Sequence, residues 1–307
     1  MHFACYCDTI YSMKKFNRTK HKTMGTIPPQ IRAMISGVDM SVATAQFNSF
    51  MTNLAIDFHR QLASGTAISQ IKLTAPDKLF GFDVKLDYLA SGSIGSVYKM
   101  QIGDLVFVFK INRDSGFGEL NAMSQQSRAR NLVNKAYIGS VFEFSGRKYS
   151  WVISDYIAND YTNSIANAMQ RLFYAYLTKG ININDIHVNN FKDGKLIDIA
   201  SLYRRTGKID DISNLNKPQR DIVQQLAYYI KTNNSAAFEQ ELSDAAVKHP
   251  ELINYMFYAM NYARTPIMCS VLKDSEFAKR VNNFQKIVNQ IFRINKHKII
   301  QDLNTGR

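Results

Sequence analysis

Five polar side chains in the middle of the chain are of types that could act together on a phosphorylated ligand. Lys110 lies in the apolar run Val106-Phe107-Val108-Phe109-Lys110-Ile111. As a strand, this run turns Val106, Val108 and Lys110 to one face and Phe107, Phe109 and Ile111 to the other. A buried ammonium without a partner is costly. Lys110 therefore either snorkels to water from a strand end or neutralises an anion. Asn190 and Asp198 supply an amide oxygen and a carboxylate, the hard ligands that Mg²⁺ takes. Asp198 sits in Leu196-Ile197-Asp198-Ile199, which reads as a short strand carrying a carboxylate. An Asn/Asp-rich turn accounts for the neighbouring Asp193-Gly194, which suits a hairpin, but leaves Asp198 unexplained. Asp185 stands five positions before Asn190 across a tight loop, with His187 between them. Upstream, Gly92 and Gly95 punctuate Leu89-Ala90-Ser91-Gly92-Ser93-Ile94-Gly95-Ser96-Val97. Glycines in a β-turn-β let backbone approach a ligand closely, and N–H groups of such a turn can cradle phosphates. A plain glycine-rich hairpin has the same pattern.

The elements that must hold these residues follow from hydrophobic period. Met1 to about Pro29 is basic and polar, with Lys14, Lys15, Arg18, Lys20, His21 and Lys22 close together. It reads as a tail that could also touch an anionic membrane face or nucleic acid. A helix follows, with Ser41 as N-cap and Phe47, Phe50, Met51, Leu54, Phe58 and Leu62 on one face, packing on what comes next. From about Lys78 to Ile157 the period shortens to that of strands, interrupted by one helix over roughly Phe117 to Lys135. From about Asn163 the pattern is helical, with further helices at Pro218–Lys231, Ser235–Lys248, Pro250–Ala263 and Asp274–Lys296. Strands followed by helices predict an α+β fold.

Composition narrows the classes. The chain has 307 residues, 46% of them hydrophobic and 21% charged, which excludes disordered and collagen-like chains. A net charge of +13 favours polyanionic partners without choosing among them. Three cysteines form no disulfide framework and suit a reducing compartment. No run of about 18 apolar residues is present, and the first residues lack a basic segment ahead of an apolar one. The chain reads as soluble and cytosolic.

Taken in order, these motifs resemble the eukaryotic-type protein kinase superfamily in its compact bacterial-effector or phage form. Gly92, Gly95 and Val97 are similar to the glycine-rich loop, with Ala90 where the first glycine usually stands, and Lys110 to the strand lysine. Asp185 and Asn190 match the catalytic loop, and Asp198 matches the metal-binding aspartate. Tyr149 to Ile157 resembles the last strand entering the hinge, and Asp221 the aspartate that steadies the catalytic loop. The resemblance implies a bilobal protein-kinase-like fold, with a small antiparallel N-lobe at 81–157 and a helical C-lobe at 158–307. Residues 1–80 form an N-terminal extension.

It also implies ATP and Mg²⁺ as cofactors and γ-phosphate transfer to Ser/Thr hydroxyls of a protein, with a host protein as one setting. Ser93, Ile94 and Gly95 would cover the phosphates. Lys110 would hold them, oriented by Glu119, and Asn190 and Asp198 would bind the metal. Backbone near Asp155 and Tyr156 would meet adenine, Asp185 would take the substrate proton, and His187 would stand in the place of the usual lysine. Ile183-Asn184 replaces His-Arg, Ile199-Ala200 replaces Phe-Gly, and the segment after Asp198 is short. A pseudokinase scaffold and a small-molecule kinase of the aminoglycoside or choline type are the alternatives. No stable nucleic-acid complex is expected.

Overall fold

The computed structural model describes residues 23–75, 78–92, 94–113, 118–124, 126–129, 132–158, 164–183, 190–198, 202–204, 211–268 and 272–305. The chain is mixed α and β, with one six-stranded antiparallel sheet and a helical part. The sheet contains β1 (Met24–Gly25), β2 (Val84–Ser91), β3 (Gly95–Ile102), β4 (Leu105–Asn112), β5 (Ala136–Phe144) and β6 (Arg147–Asp155), in the order β1-β5-β6-β4-β3-β2. At the outer strand β2 the register to β3 shifts between Tyr88 and Ala90, a bulge in an otherwise continuous ladder.

Register decides what each face carries. Val97, Lys110 and Val152 are directly paired across β3, β4 and β6, so they share one face. Tyr98, Phe109 and Ile153 are paired on the other. That second face is sealed by α2 (Met40–Ala63), whose buried Phe47, Met51, Leu54 and Phe58 join Tyr98, Phe109, Trp151 and Ile153 in a single core. The short α1 (Pro29–Met34) adds Ile31 to the same cluster. Trp151 satisfies its buried indole N–H by donating to Thr52 Oγ1 of α2 at 3.0 Å. The stripe read from the sequence thus lies on the side of the sheet away from Lys110. The helix begins one cap earlier than expected. Asp39 rather than Ser41 accepts the first free N–H groups, from Ser41 at 2.7 Å and Val42 at 3.2 Å.

The helix expected over Phe117 to Lys135 is much shorter. α3 is Gly118–Met123, followed by a 3₁₀ turn at Gln126–Ala129. The chain is then drawn out of helix because Asn134 N–H donates to Leu196 O at 2.7 Å, and Leu196 N–H to Leu132 O at 2.8 Å. The helical part comprises α4 (Ser164–Lys179), α5 (Lys217–Thr232), α6 (Ser235–Lys248), α7 (Pro250–Met268) and α8 (Glu276–Thr305). Its core runs from Phe173 through Leu226, Phe238 and Met256 to Phe284, and it takes in Leu120, Val133 and Val152 from the first half of the chain. Among the described residues four short strands lie between α4 and α5. β7 (Ile181–Ile183) pairs with β10 (Leu202–Arg204), while β8 (Phe191–Lys192) pairs with β9 (Lys195–Leu196).

Since Phe58 is fully buried between α2 and the sheet, Phe58→Ala is expected to cost about 3–5 kcal/mol. Urea unfolding of the two proteins measures this. A loss below about 1 kcal/mol would mean that α2 does not share the core of the sheet.

Candidate functional site

Lys110, Glu119 and Asp198 come from three separate elements and meet. Lys110 Nζ lies 2.6 Å from Glu119 Oε1 and 3.2 Å from Asp198 Oδ1. Strand alternation puts Lys110 on the half-covered face with Val106 and Val108, as the sequence indicated. Glu119 enters from the first turn of α3, where an acidic side chain also favours the helix start. α3 is held against the sheet by close contact at Gly139. A Cβ there would come 2.7 Å from backbone Trp151 O of β6, which requires glycine, and 2.6 Å from the end of the Leu120 side chain of α3, which packs over it.

Asp198 follows the β8–β9 hairpin rather than lying in a strand, since β9 stops at Leu196. The hairpin turn is Asp193-Gly194, both with positive φ (46° and 67°), the conformation an Asp-Gly pair favours in a two-residue turn. Leu196 is bonded on both sides to residues 132–134, which fixes the start of the segment that reaches Asp198. Ile197 N–H donates to Asn190 O at 2.8 Å, so Asn190 and Asp198 flank the open end of one hairpin. Asn190 is buried and Asp198 remains partly accessible, its side chain 26% exposed.

The electrostatics are those of a cation between two carboxylates. Burial opposes the charge on Lys110, but Glu119 and Asp198 more than offset it and hold the ammonium above its ordinary value. Burial pushes the Glu119 carboxyl up, with Lys110 pulling it back. We read the pair as ionised at neutral pH, because a 2.6 Å contact to an ammonium is the strongest compensation available to a buried carboxylate. Glu119 Oε2 is buried and has no hydrogen-bond partner among the described residues. One carboxylate and one amide oxygen at the hairpin end suit a hard divalent cation that keeps several waters. Among the described residues no group of three His, Cys, Asp or Glu could hold a metal by itself.

The glycine-rich turn joins β2 to β3, with Gly92 N–H bonded to Gly95 O at 3.0 Å. Gly95 is required by packing, because a Cβ would meet Ile111 O at 2.8 Å. Gly92 faces open space, and Ile94 is exposed. Val97 lies beside Lys110 in register. Ser93, Asp185 and His187 fall outside the described residues.

One expectation needs correction. Asp155 does not offer its backbone to a ligand. Its N–H donates to Lys135 O at 2.9 Å, its C=O accepts Asn134 Nδ2 at 2.8 Å, and its carboxylate accepts the Tyr137 hydroxyl at 2.5 Å. Tyr156, the next residue, has its ring 5.5 Å from Lys99 Nζ. Asp221 is exposed on α5, and residues 184–189, which it was expected to steady, lie outside the described residues; Asp211 is buried and caps the turn Ile212–Asn214. A cavity of about 400 Å³ opens at the 155–158 segment, between the start of β4, Asn134 and the Asp193–Lys195 turn. It does not include Lys110, Glu119, Asn190 or Asp198 in its lining, so it is a neighbour of the charged cluster and not its container.

Sequence reasoning passed over His59 and Arg113. His59 is buried on α2 within an aromatic cage that includes Tyr149, 3.9 Å between ring centres, and its Nε2 lies 3.1 Å from Asn112 O. A carbonyl only accepts, so Nε2 carries the proton, and burial lowers the pKa of the ring below its ordinary value. A lone histidine inside an apolar helical stripe was the available signal.

No family model matches the chain, and no curated protein matches it. Among solved structures the chain is similar to WaaP in complex with acyl carrier protein, at 10% identity and a TM-score of 0.33, over 88% of this chain and 99% of that one.

Lys110→Met would leave Glu119 buried without its cation, at a cost of about 3–5 kcal/mol. In that variant the folded-state pKa of Glu119 rises further above its unfolded value. A raised carboxyl stabilises the fold at low pH and loses that contribution as pH climbs through the folded pKa. The deficit against the parent protein should therefore be larger at pH 8 than at pH 5 in urea titrations. Equal deficits would show that Glu119 is not the buried partner of Lys110.

Proposed function

We propose that the chain is a phosphotransferase that uses ATP with Mg²⁺. The observation that carries this reading is the meeting of Lys110, Glu119 and Asp198, with Lys110 and Asp198 separated by 88 positions in sequence. A purely structural cluster has no need of a half-accessible carboxylate beside a second oxygen donor at the end of a hairpin. When bound, the magnesium nucleotide supplies the transferable γ-phosphoryl group and the cation that neutralises its charge.

In this reading Lys110, oriented by Glu119, donates to the α- and β-phosphate oxygens. Asp198 and Asn190 hold the metal. N–H groups of the turn between β2 and β3 cover the phosphates, and the open space at Gly92 leaves room for them. Val97 covers the base, with backbone at Tyr156 beside it. Asp185, between β7 and Asn190 in the chain, orients the acceptor hydroxyl and receives its proton, with His187 close to the transferred group. Catalysis then rests on positioning and charge compensation rather than on a covalent intermediate. The acceptor we assign is a Ser/Thr hydroxyl of a protein, carried by the likeness of Asp185 and Asn190 to the catalytic loop of protein kinases.

Asp198→Asn keeps the side-chain volume and removes the charge. We expect it to fold with the parent's circular dichroism spectrum and to reduce phosphate transfer from labelled ATP by about a hundredfold or more. Unchanged transfer would refute the metal role of Asp198. Nucleotide binding by the parent protein without any transfer, including to itself, would favour a binding scaffold instead.

A further inference from the structure

The turn between β2 and β3 stands almost alone. Gly92 and Ile94 are exposed, and nothing lies within 4 Å of the position a Cβ on Gly92 would take. Among the described residues its internal closure is the bond from Gly92 N–H to Gly95 O. Beyond that, one residue ties it down among the described residues. Arg113, just past the end of β4, donates its backbone N–H to Ile94 O at 2.8 Å and its guanidinium to Gly92 O.

The anchor itself is fixed. Asn112, the preceding residue, donates its side-chain amide to Ser150 Oγ at 2.6 Å, and its carbonyl takes the hydrogen bond of the caged His59 of α2. Asn112 Oδ1 and Ile111 O also fill the space on Gly95 where any side chain would sit. A chain of contacts therefore runs from the far side of the sheet, through Asn112 and Arg113, to the turn. Two carbonyls of the turn are engaged by Arg113. Left free to swing toward a phosphate, they would repel it; instead Gly92 O is matched by the guanidinium and Ile94 O by the Arg113 backbone N–H.

We propose that Arg113 is a positioning residue that holds the Gly92–Gly95 turn in the conformation that receives the phosphates of a bound nucleotide. This rests on the nucleotide reading given above. Arg113 acts through the turn, not on the reacting atoms. Removing its side chain leaves the backbone bond to Ile94 and frees the carbonyl of Gly92.

The test compares the parent chain, Arg113→Ala and Arg113→Lys. Calorimetric titration with Mg·ADP is expected to show about tenfold weaker binding for Arg113→Ala, the scale of one hydrogen bond to a charged group. Arg113→Lys, which keeps a cationic donor, should recover part of it. In the nucleotide-free proteins, hydrogen–deuterium exchange at residues 92–97 should quicken in Arg113→Ala, while the melting temperature stays close to the parent's. Parent-like affinity in Arg113→Ala, or unaltered exchange in the turn, overturns the assignment even if the parent binds nucleotide well. Failure of the parent itself to bind Mg·ADP ends the nucleotide reading and this inference with it.

Discussion

A single ammonium, that of Lys110, is the point on which the two halves of the chain agree. It is mostly shielded from water, so its charge is tolerable only while two carboxylates, Glu119 of nearby α3 and Asp198 from 88 positions away, stay within reach. That requirement explains features that would otherwise look unrelated. α3 has to approach the sheet closely enough to deliver Glu119, and Leu120 of that helix packs over Gly139, where the carbonyl of Trp151 leaves no room for a side chain. The hairpin must end where Asp198 can reach, which is why its own ladder is tied to residues 132–134. Each constraint is local, and together they hold one charge in place.

The face opposite Lys110 has the contrary character. It is dry, aromatic and covered by α2; Trp151 and His59 bond to Thr52 and Asn112 there, while the buried Tyr98 hydroxyl and Ser96 Oγ have no partner among the described residues. This division lets one sheet serve two purposes. The back supplies burial, in which large rings such as Trp151 and Phe58 each remove substantial apolar area from water. The front is left free to carry charge.

How much of this was legible beforehand depended on range. Period-two alternation around Lys110 gave its face correctly, because alternation is a property of the strand itself. The Asp193-Gly194 turn and the helix Ser235–Lys248 were likewise local, set by positive φ and by capping. The extent of α3 was not legible. Propensity would extend it, and it ends early because Leu132 and Asn134 are claimed by Leu196, a partner more than sixty positions away. The same holds for Asp155, which resembles a hinge residue in sequence but is occupied by Lys135, Asn134 and Tyr137 once the strands align. The exposure of Asp221 was likewise not legible, because charge patterning on a helix does not show which aspartate is buried. Arg113 carried no periodic signal at all, since its importance comes from two carbonyls across a turn.

The Trp151–Thr52 hydrogen bond spans 99 positions of chain, and it lies within the core that α2 forms with the sheet. α2 is made early in the sequence, and it meets Tyr98 of β3 and Phe109 of β4 before Trp151 and Ile153 of β6 complete its core. During synthesis on a ribosome that core cannot be completed until roughly a hundred more residues emerge, a delay of about 5–20 seconds at ordinary elongation rates. Loop closure over such a span is entropically slow to nucleate. Sealing of the back of the sheet is therefore a late event in the life of the chain, set by the length of sequence that must first emerge.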